Sequence, residues 1–182
     1  MKFLPLCLFC LILNAEIFGQ DSFKSYVLED SSINVLLPSE PEDLYKVLRI
    51  NNNEFKSHLM TSKKISGRKS MIFIIRVIDF SNRDSSYQNL DFWENYLIKT
   101  KTSNGAKITE CKDKVPLEFP YVKELHFVDE QLSGLNRVRI FISNKKIYSI
   151  ETLSFKRLAK SDFKLIQDEQ VFYDSFRFIK KN

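Results

Sequence analysis

Arg137-Val138-Arg139-Ile140-Phe141-Ile142-Ser143-Asn144-Lys145-Lys146-Ile147-Tyr148-Ser149-Ile150 decides the fold of this chain. Two arms that alternate in apolar character flank Ser143-Asn144-Lys145, and asparagine tolerates the left-handed backbone that a tight reversal needs. The expectation is a β-hairpin with strands over residues 135–142 and 146–155. Tyr148 and Ile150, two residues apart, share one face of the returning strand.

Period-two patterning continues on either side of the hairpin. Toward the C-terminus, a helix is expected to begin near Ser161 with Phe163, Leu165, Ile166 and Phe172 turned inward, followed by a short strand over 176–179. Toward the N-terminus come strands over 121–128 and 106–115, joined through Pro116 to Pro120. Tyr87, Leu90, Trp93, Tyr96 and Leu97 recur at steps of three and four, which makes the stripe of an amphipathic helix. Ser85 or Ser86 is expected to cap it, and Asn104-Gly105 to close it. Residues 71–78 are apolar on both faces, the pattern of a central strand covered on each side. Residues 44–50 and 55–61 pair across Asn51-Asn52-Asn53. Residues 33–37 end at Pro38 and Pro41, which remove ladder donors, and residues 23–28 form the first strand, with Glu29 to Ser32 as its turn. Runs of strands with one helix in the middle and one near the end specify an α+β fold, an antiparallel β-sheet flanked by helices. With no repeat and no linker-like stretch, residues 20–182 read as a single domain.

The hairpin and the C-terminal segment Phe172-Tyr173-Asp174-Ser175-Phe176-Arg177-Phe178 resemble the PsbP-like superfamily. Its chains end in an arginine-bearing strand, a turn, a strand with a Tyr-x-aliphatic element, and a helix leading into Ser-Phe. Tyr26 and Ile33-Asn34-Val35-Leu36-Leu37-Pro38 resemble that family's opening strand. The resemblance implies an α/β/α sandwich, in which Phe172 and Phe176 pack the helix end beneath Tyr148. It also implies a binding, assembly or stabilising role. The best-known members act on the lumenal side of photosystem II, and none of their functional residues is carried over here.

The start of the chain supplies an address. Lys2 precedes an apolar run from Phe3 to Leu13, and the chain turns polar at Gln20-Asp21 after Gly19. That layout is a secretory signal peptide, expected over residues 1–19. With Pro5 and Asn14 inside it and Glu16 ending it, the run falls short of the about 20 residues that span a bilayer. Phe9 before Cys10 fits a lipid-modified cysteine badly. The expected product is periplasmic or secreted, has no transmembrane segment after cleavage, and is monomeric. Cys7 and Cys10 leave with the leader, so Cys111 stands alone and no internal disulfide is expected. Its alternating surroundings suggest a half-buried strand thiol rather than a nucleophile.

Losing Lys2 and Glu16 leaves 27 basic and 22 acidic residues, still +5. The basic residues are dispersed at turns and ends rather than gathered on one face, so no nucleic-acid partner is expected. Sixteen Phe and seven Tyr against four Gly point to a well-packed core. Too few glycines exist for a phosphate-cradling loop or a Gly-x-Ser-x-Gly elbow. His58 and His126 lack the close His, Cys or carboxylate spacing of a metal site. Glu29-Asp30, Asp129-Glu130 and Asp168-Glu169 are neighbours in sequence, expected on turns or a helix exterior. No catalytic, cofactor-binding or metal residue is therefore assigned, and no cofactor. Trp93, Tyr87 and Tyr96 are the candidate ligand or partner surface, although helical spacing also suits them to the core. The expected function is a non-enzymatic accessory protein that binds a protein or assembly in the cell envelope. A small-ligand or lipid-binding module with an aromatic pocket, or an enzyme using His58 or His126, are the alternatives.

Overall fold

A computed structural model describes residues 23–28, 33–114, 122–129, 134–155 and 162–179. The leader, Cys7 and Cys10, the turns expected at Glu29 to Ser32 and at Pro116 to Pro120, Glu130 and the expected helix start at Ser161 lie outside these residues.

The described residues form ten strands, a 3₁₀ turn and two α-helices. Strands β3 (Glu42–Ile50), β4 (Asn53–Ser66), β5 (Lys69–Asp79), β6 (Ala106–Lys114), β7 (Val122–Asp129), β8 (Gly134–Ser143) and β9 (Lys146–Phe155) make a seven-stranded sheet in the order β3-β4-β5-β9-β8-β7-β6. Every pairing within it is antiparallel. A second sheet joins β1 (Lys24–Val27), β2 (Ile33–Leu37) and β10 (Arg177–Phe178). Helix α1 (Leu90–Ser103) lies against β6, β7 and β8, and α2 (Phe163–Ser175) against β2 and β4. The α+β class expected from the sequence is the one observed.

Strand alternation sorts the core into two layers. On one face of the large sheet, Met71, Phe73, Ile75 and Val77 of β5 and Tyr148 and Ile150 of β9 pack against Leu165, Phe172 and Phe176 of the α2 region and against the small sheet. Phe73 and Phe172 meet edge-on at 5.2 Å, and Phe141 stacks on Tyr148 at 5.2 Å. On the other face, Val138, Ile140, Leu125 and Phe127 lie under Trp93 and Leu97 of α1. Each fully buried side chain of this size contributes about 1.5–3 kcal/mol. On that second face Ile78 is buried in the same cluster as Trp93 of α1, whereas Ile72 and Ile74 stay half-buried. The residue 71–78 run is covered completely on one side and partly on the other.

Turn chemistry fixes the register. Asn144 and Lys145 hold φ of 48° and 57°, and Asn51 and Asn52 hold 49° and 63°. Left-handed backbone at both central positions is that of the two-residue hairpin whose twist matches its strands. The first helix begins later than its stripe suggests. Ser85–Gln88 is the 3₁₀ turn, capped by Asp84, and α1 is capped by Asn89, whose side chain accepts from Asp91 N at 2.9 Å. Asp84 and Asn89 take the capping role expected of Ser85 or Ser86, because the tight turn shifts the start of α1 to Leu90. Gly105, with φ of 88°, closes α1 as expected.

Three further placements differ from expectation. Phe163 and Ile166 are 69% and 41% exposed, since only the Leu165, Phe172 and Tyr173 side of α2 meets the sheet. Asp168 is buried rather than on the helix exterior, and it pairs with Lys64 of β4 at 3.0 Å. Cys111 is exposed because β6 is an edge strand.

Candidate functional site

The aromatic residues singled out in the sequence come together, but inside the molecule. Trp93 is 2% exposed and Tyr87 7%. The indole N–H donates to the Tyr87 carbonyl at 2.7 Å, and its ring meets Phe92, Phe55 and Tyr96 edge-on at 5.3, 5.8 and 6.1 Å. Tyr87 accepts from Asn53 Nδ2 at 2.9 Å through its hydroxyl. Trp93, on the buried face of α1, and Tyr87, in the 3₁₀ turn before it, lie in the core rather than on the surface. Tyr96 is half-buried at its margin.

An open groove of about 380 Å³ lies elsewhere, where β3, β4, β5 and the start of β9 pass Leu28. Register builds it. Tyr45 pairs with His58 and His58 with Val77, while Val47 pairs with Lys56, Lys56 with Asp79 and Asp79 with Lys146. Alternation then points all seven side chains to one face. The His58 ring stacks flat on Tyr45 at 4.4 Å and bonds Asp43 Oδ1 at 2.7 Å through Nε2. Burial works against the Asp79 charge, but the Ser81 N–H at 2.8 Å, with Lys146 and Lys56 alongside, holds its carboxyl below the usual range. Val77 and Leu28 form a buried apolar floor, whereas Tyr45 and Val47 stand 58% and 60% exposed at the rim.

Two charged clusters occupy the other end of the sheet. Glu124, 2% exposed, accepts from Arg139 Nε at 2.5 Å and from Arg137 Nη2 at 3.1 Å. Both guanidinium groups lie over the Tyr173 ring, at 4.4 and 4.5 Å, and the Tyr173 hydroxyl donates to the Arg137 carbonyl. Burial keeps that phenol protonated far beyond its ordinary range. His126 sits between Glu124 at 3.0 Å and Glu110 at 3.1 Å. On the opposite face, Lys123 meets Glu94 at 2.9 Å, Asp113 at 3.2 Å and Asp91 at 3.3 Å. Cys111 Sγ donates to Glu94 Oε1 at 2.8 Å; partial shielding and that carboxylate push the thiol up to about 11.

This geometry bears on chemistry. Among the described residues, the bonds made by the ring nitrogens of both histidines are to carboxylates. A thiol that ionises near 11 supplies little thiolate at neutral pH. No group of three or more His, Cys, Asp or Glu among the described residues is arranged to hold a metal ion. Among them, too, no helix is long and apolar enough to cross a membrane. The sequence reading missed the Tyr45–His58 groove. Its one local signal was the Tyr45-Lys46-Val47 alternation, because its other walls come from distant strands.

No family model matches the chain, and no curated protein matches its sequence. Solved structures do match. The solution structure of cyanobacterial PsbP (CyanoP) from Synechocystis sp. PCC 6803 aligns with a TM-score of 0.52 at 12% identity, covering 89% of this chain and 95% of that one. The Saccharomyces cerevisiae Ran-binding protein Mog1p aligns with a TM-score of 0.46 at 9% identity, covering 86% and 95%. The likeness to CyanoP extends over most of both chains, and the chain has a PsbP-like fold.

Proposed function

We propose that this protein is a non-enzymatic accessory protein, exported from the cytoplasm and freed of residues 1–19, that binds another protein or assembly in the cell envelope. The observation that carries the binding role is the exposed apolar rim of β3. Tyr45 and Val47 are 58% and 60% exposed and lie side by side on one face of this edge strand, at the rim of the groove. Large apolar side chains gathered at a rim, rather than scattered singly, are characteristic of interaction sites. The charge-then-apolar layout of residues 1–19 supports export. Against a thiol nucleophile stands the protonated Cys111.

The test is to produce the chain with its leader, fractionate the cells, sequence the N-terminus of the product and crosslink the envelope fraction. An extracytoplasmic product beginning near Gln20, crosslinked to a defined protein through the β3 rim, is expected. Cytoplasmic retention, or hydrolase activity without a partner, would overturn the reading. A second reading, a small-ligand or lipid site, is favoured by the groove, whose 380 Å³ lies within the range of about 300–1,000 Å³ typical of ligand pockets. Saturable binding of a fatty acid that is lost in Tyr45→Ala would select it.

A further inference from the structure

We infer that β3 takes up an extended segment of the protein partner as an added strand, and that this segment reads apolar–acidic–apolar at its centre. The inference rests on the accessory-protein reading and specifies how the partner is held.

The backbone comes first. Glu42–Ile50 runs in unbroken register with β4, without a bulge, and among the described residues β3 pairs with β4 alone. Half of its main-chain N–H and C=O groups therefore point away from the sheet, as a template about nine residues long. An added strand satisfies those groups and needs no sequence of its own to do so.

Side chains then give the sequence. An incoming strand lies about 4.8 Å from β3, so its residues on the groove face land beside Tyr45 and Val47. Both are exposed, and Tyr45 is already held by the stacked His58 ring. Apolar residues at these two positions complete the outer wall of the groove. Between them Lys46 points to the opposite face, is exposed, and makes no ion pair among the described residues. Of the other charges on the strand, Asp43 pairs with His58 and Arg49 with Glu54 at 2.8 Å, while Glu42 stands at its first residue. Lys46 is thus the unpaired charge at the centre of the strand, between Tyr45 and Val47, and a carboxylate directly across from it is the complementary choice. A second copy of this chain fits poorly. The antiparallel register that matches Tyr45 with Val47 sets Lys46 against Lys46.

Two fluorescent peptides of about nine residues, the length of β3, test this with the full chain as recovered from the producing cell. Both alternate Thr with Val, and their centres are Val-Glu-Val and Val-Lys-Val. The glutamate peptide is expected to bind about tenfold more tightly, the swing from a like-charge to an opposite-charge cross-strand pair. It is also expected to slow amide exchange in β3 and not in β6, and Lys46→Glu should reverse the preference. Equal binding of the two peptides, protection elsewhere, or self-association of the chain through β3 would each overturn the inference. If neither peptide binds while the envelope partner crosslinks away from β3, strand addition falls and the accessory role stands. If no envelope partner crosslinks from any surface position, the accessory role falls as well.

Discussion

The two edges of the seven-stranded sheet are finished differently. β6 is closed off: its register with β7 shifts between Ile108 and Glu110, and Thr109 at that irregularity donates its hydroxyl to the His126 carbonyl at 3.2 Å. Glu110 pairs with both Lys112 and His126, while Cys111 and Asp113 are drawn toward Glu94 and Lys123. Bulges and engaged charges are how sheet edges are kept from pairing with other chains. β3, of equal length, has no bulge, and its apolar side chains face solvent in its middle. One edge is closed to further pairing, and the other leaves its outer backbone groups available to the strand proposed above.

The largest effect is expected at Glu124. Replacing it with alanine leaves Arg137, Arg139 and His126 without their shared carboxylate, so Glu124→Ala should cost about 3–5 kcal/mol in urea unfolding, as for other broken buried pairs. A loss below about 1 kcal/mol would mean that the cluster does not hold the β6–β7 edge.

The thiol sharpens the same contrast. With Cys111 pushed up to about 11, alkylation by iodoacetamide at neutral pH should run on the order of a hundredfold slower than at an ordinary thiol of pKa about 8.5. Glu94→Gln should speed it. A rate matching free cysteine would show that the closed edge opens in solution.

At the open edge the expected split is between binding and stability. Val47→Glu places a carboxylate opposite Lys56 on an exposed strand and should change stability by no more than about 0.5 kcal/mol. Partner affinity should fall about tenfold, since the apolar contact is lost. A strongly destabilised variant would make Val47 a structural residue.

The smallest effect is electrostatic. The Lys112 bond holds the Glu110 carboxyl below its ordinary range. A lowered folded-state value contributes stability that is present above the unfolded value, about 4.3, and is lost as pH falls through the folded one. Glu110→Gln should therefore flatten the decline in urea midpoint on acidification below about pH 4.3, and an unchanged slope would remove Glu110 from the fastening of this edge.

Much of the fold was legible because local chemistry and global register agree. The asparagine turns at Asn51-Asn52 and Asn144 reverse the chain where the alternation demands it, and Phe172 and Phe176 join Tyr148 and Ile150 in one core as the family resemblance implies. What was not legible depended on partners far away in the chain. Asp168 looks like a helix-surface acid until β4 brings Lys64 beneath it. The groove joins Leu28, Tyr45, His58, Asp79 and Lys146, which only strand order assembles. Trp93 shows the reverse case, since a conspicuous aromatic at helical spacing was the buried stripe itself.

The most direct test places a photo-crosslinking amino acid at Tyr45 in one variant and at Lys112 in another, each produced with its leader and irradiated in the native envelope. The open-edge account predicts a discrete adduct from position 45, competed away by the Val-Glu-Val peptide, and none from position 112. An adduct from position 112 alone, or one at position 45 that the peptide fails to displace, would contradict it.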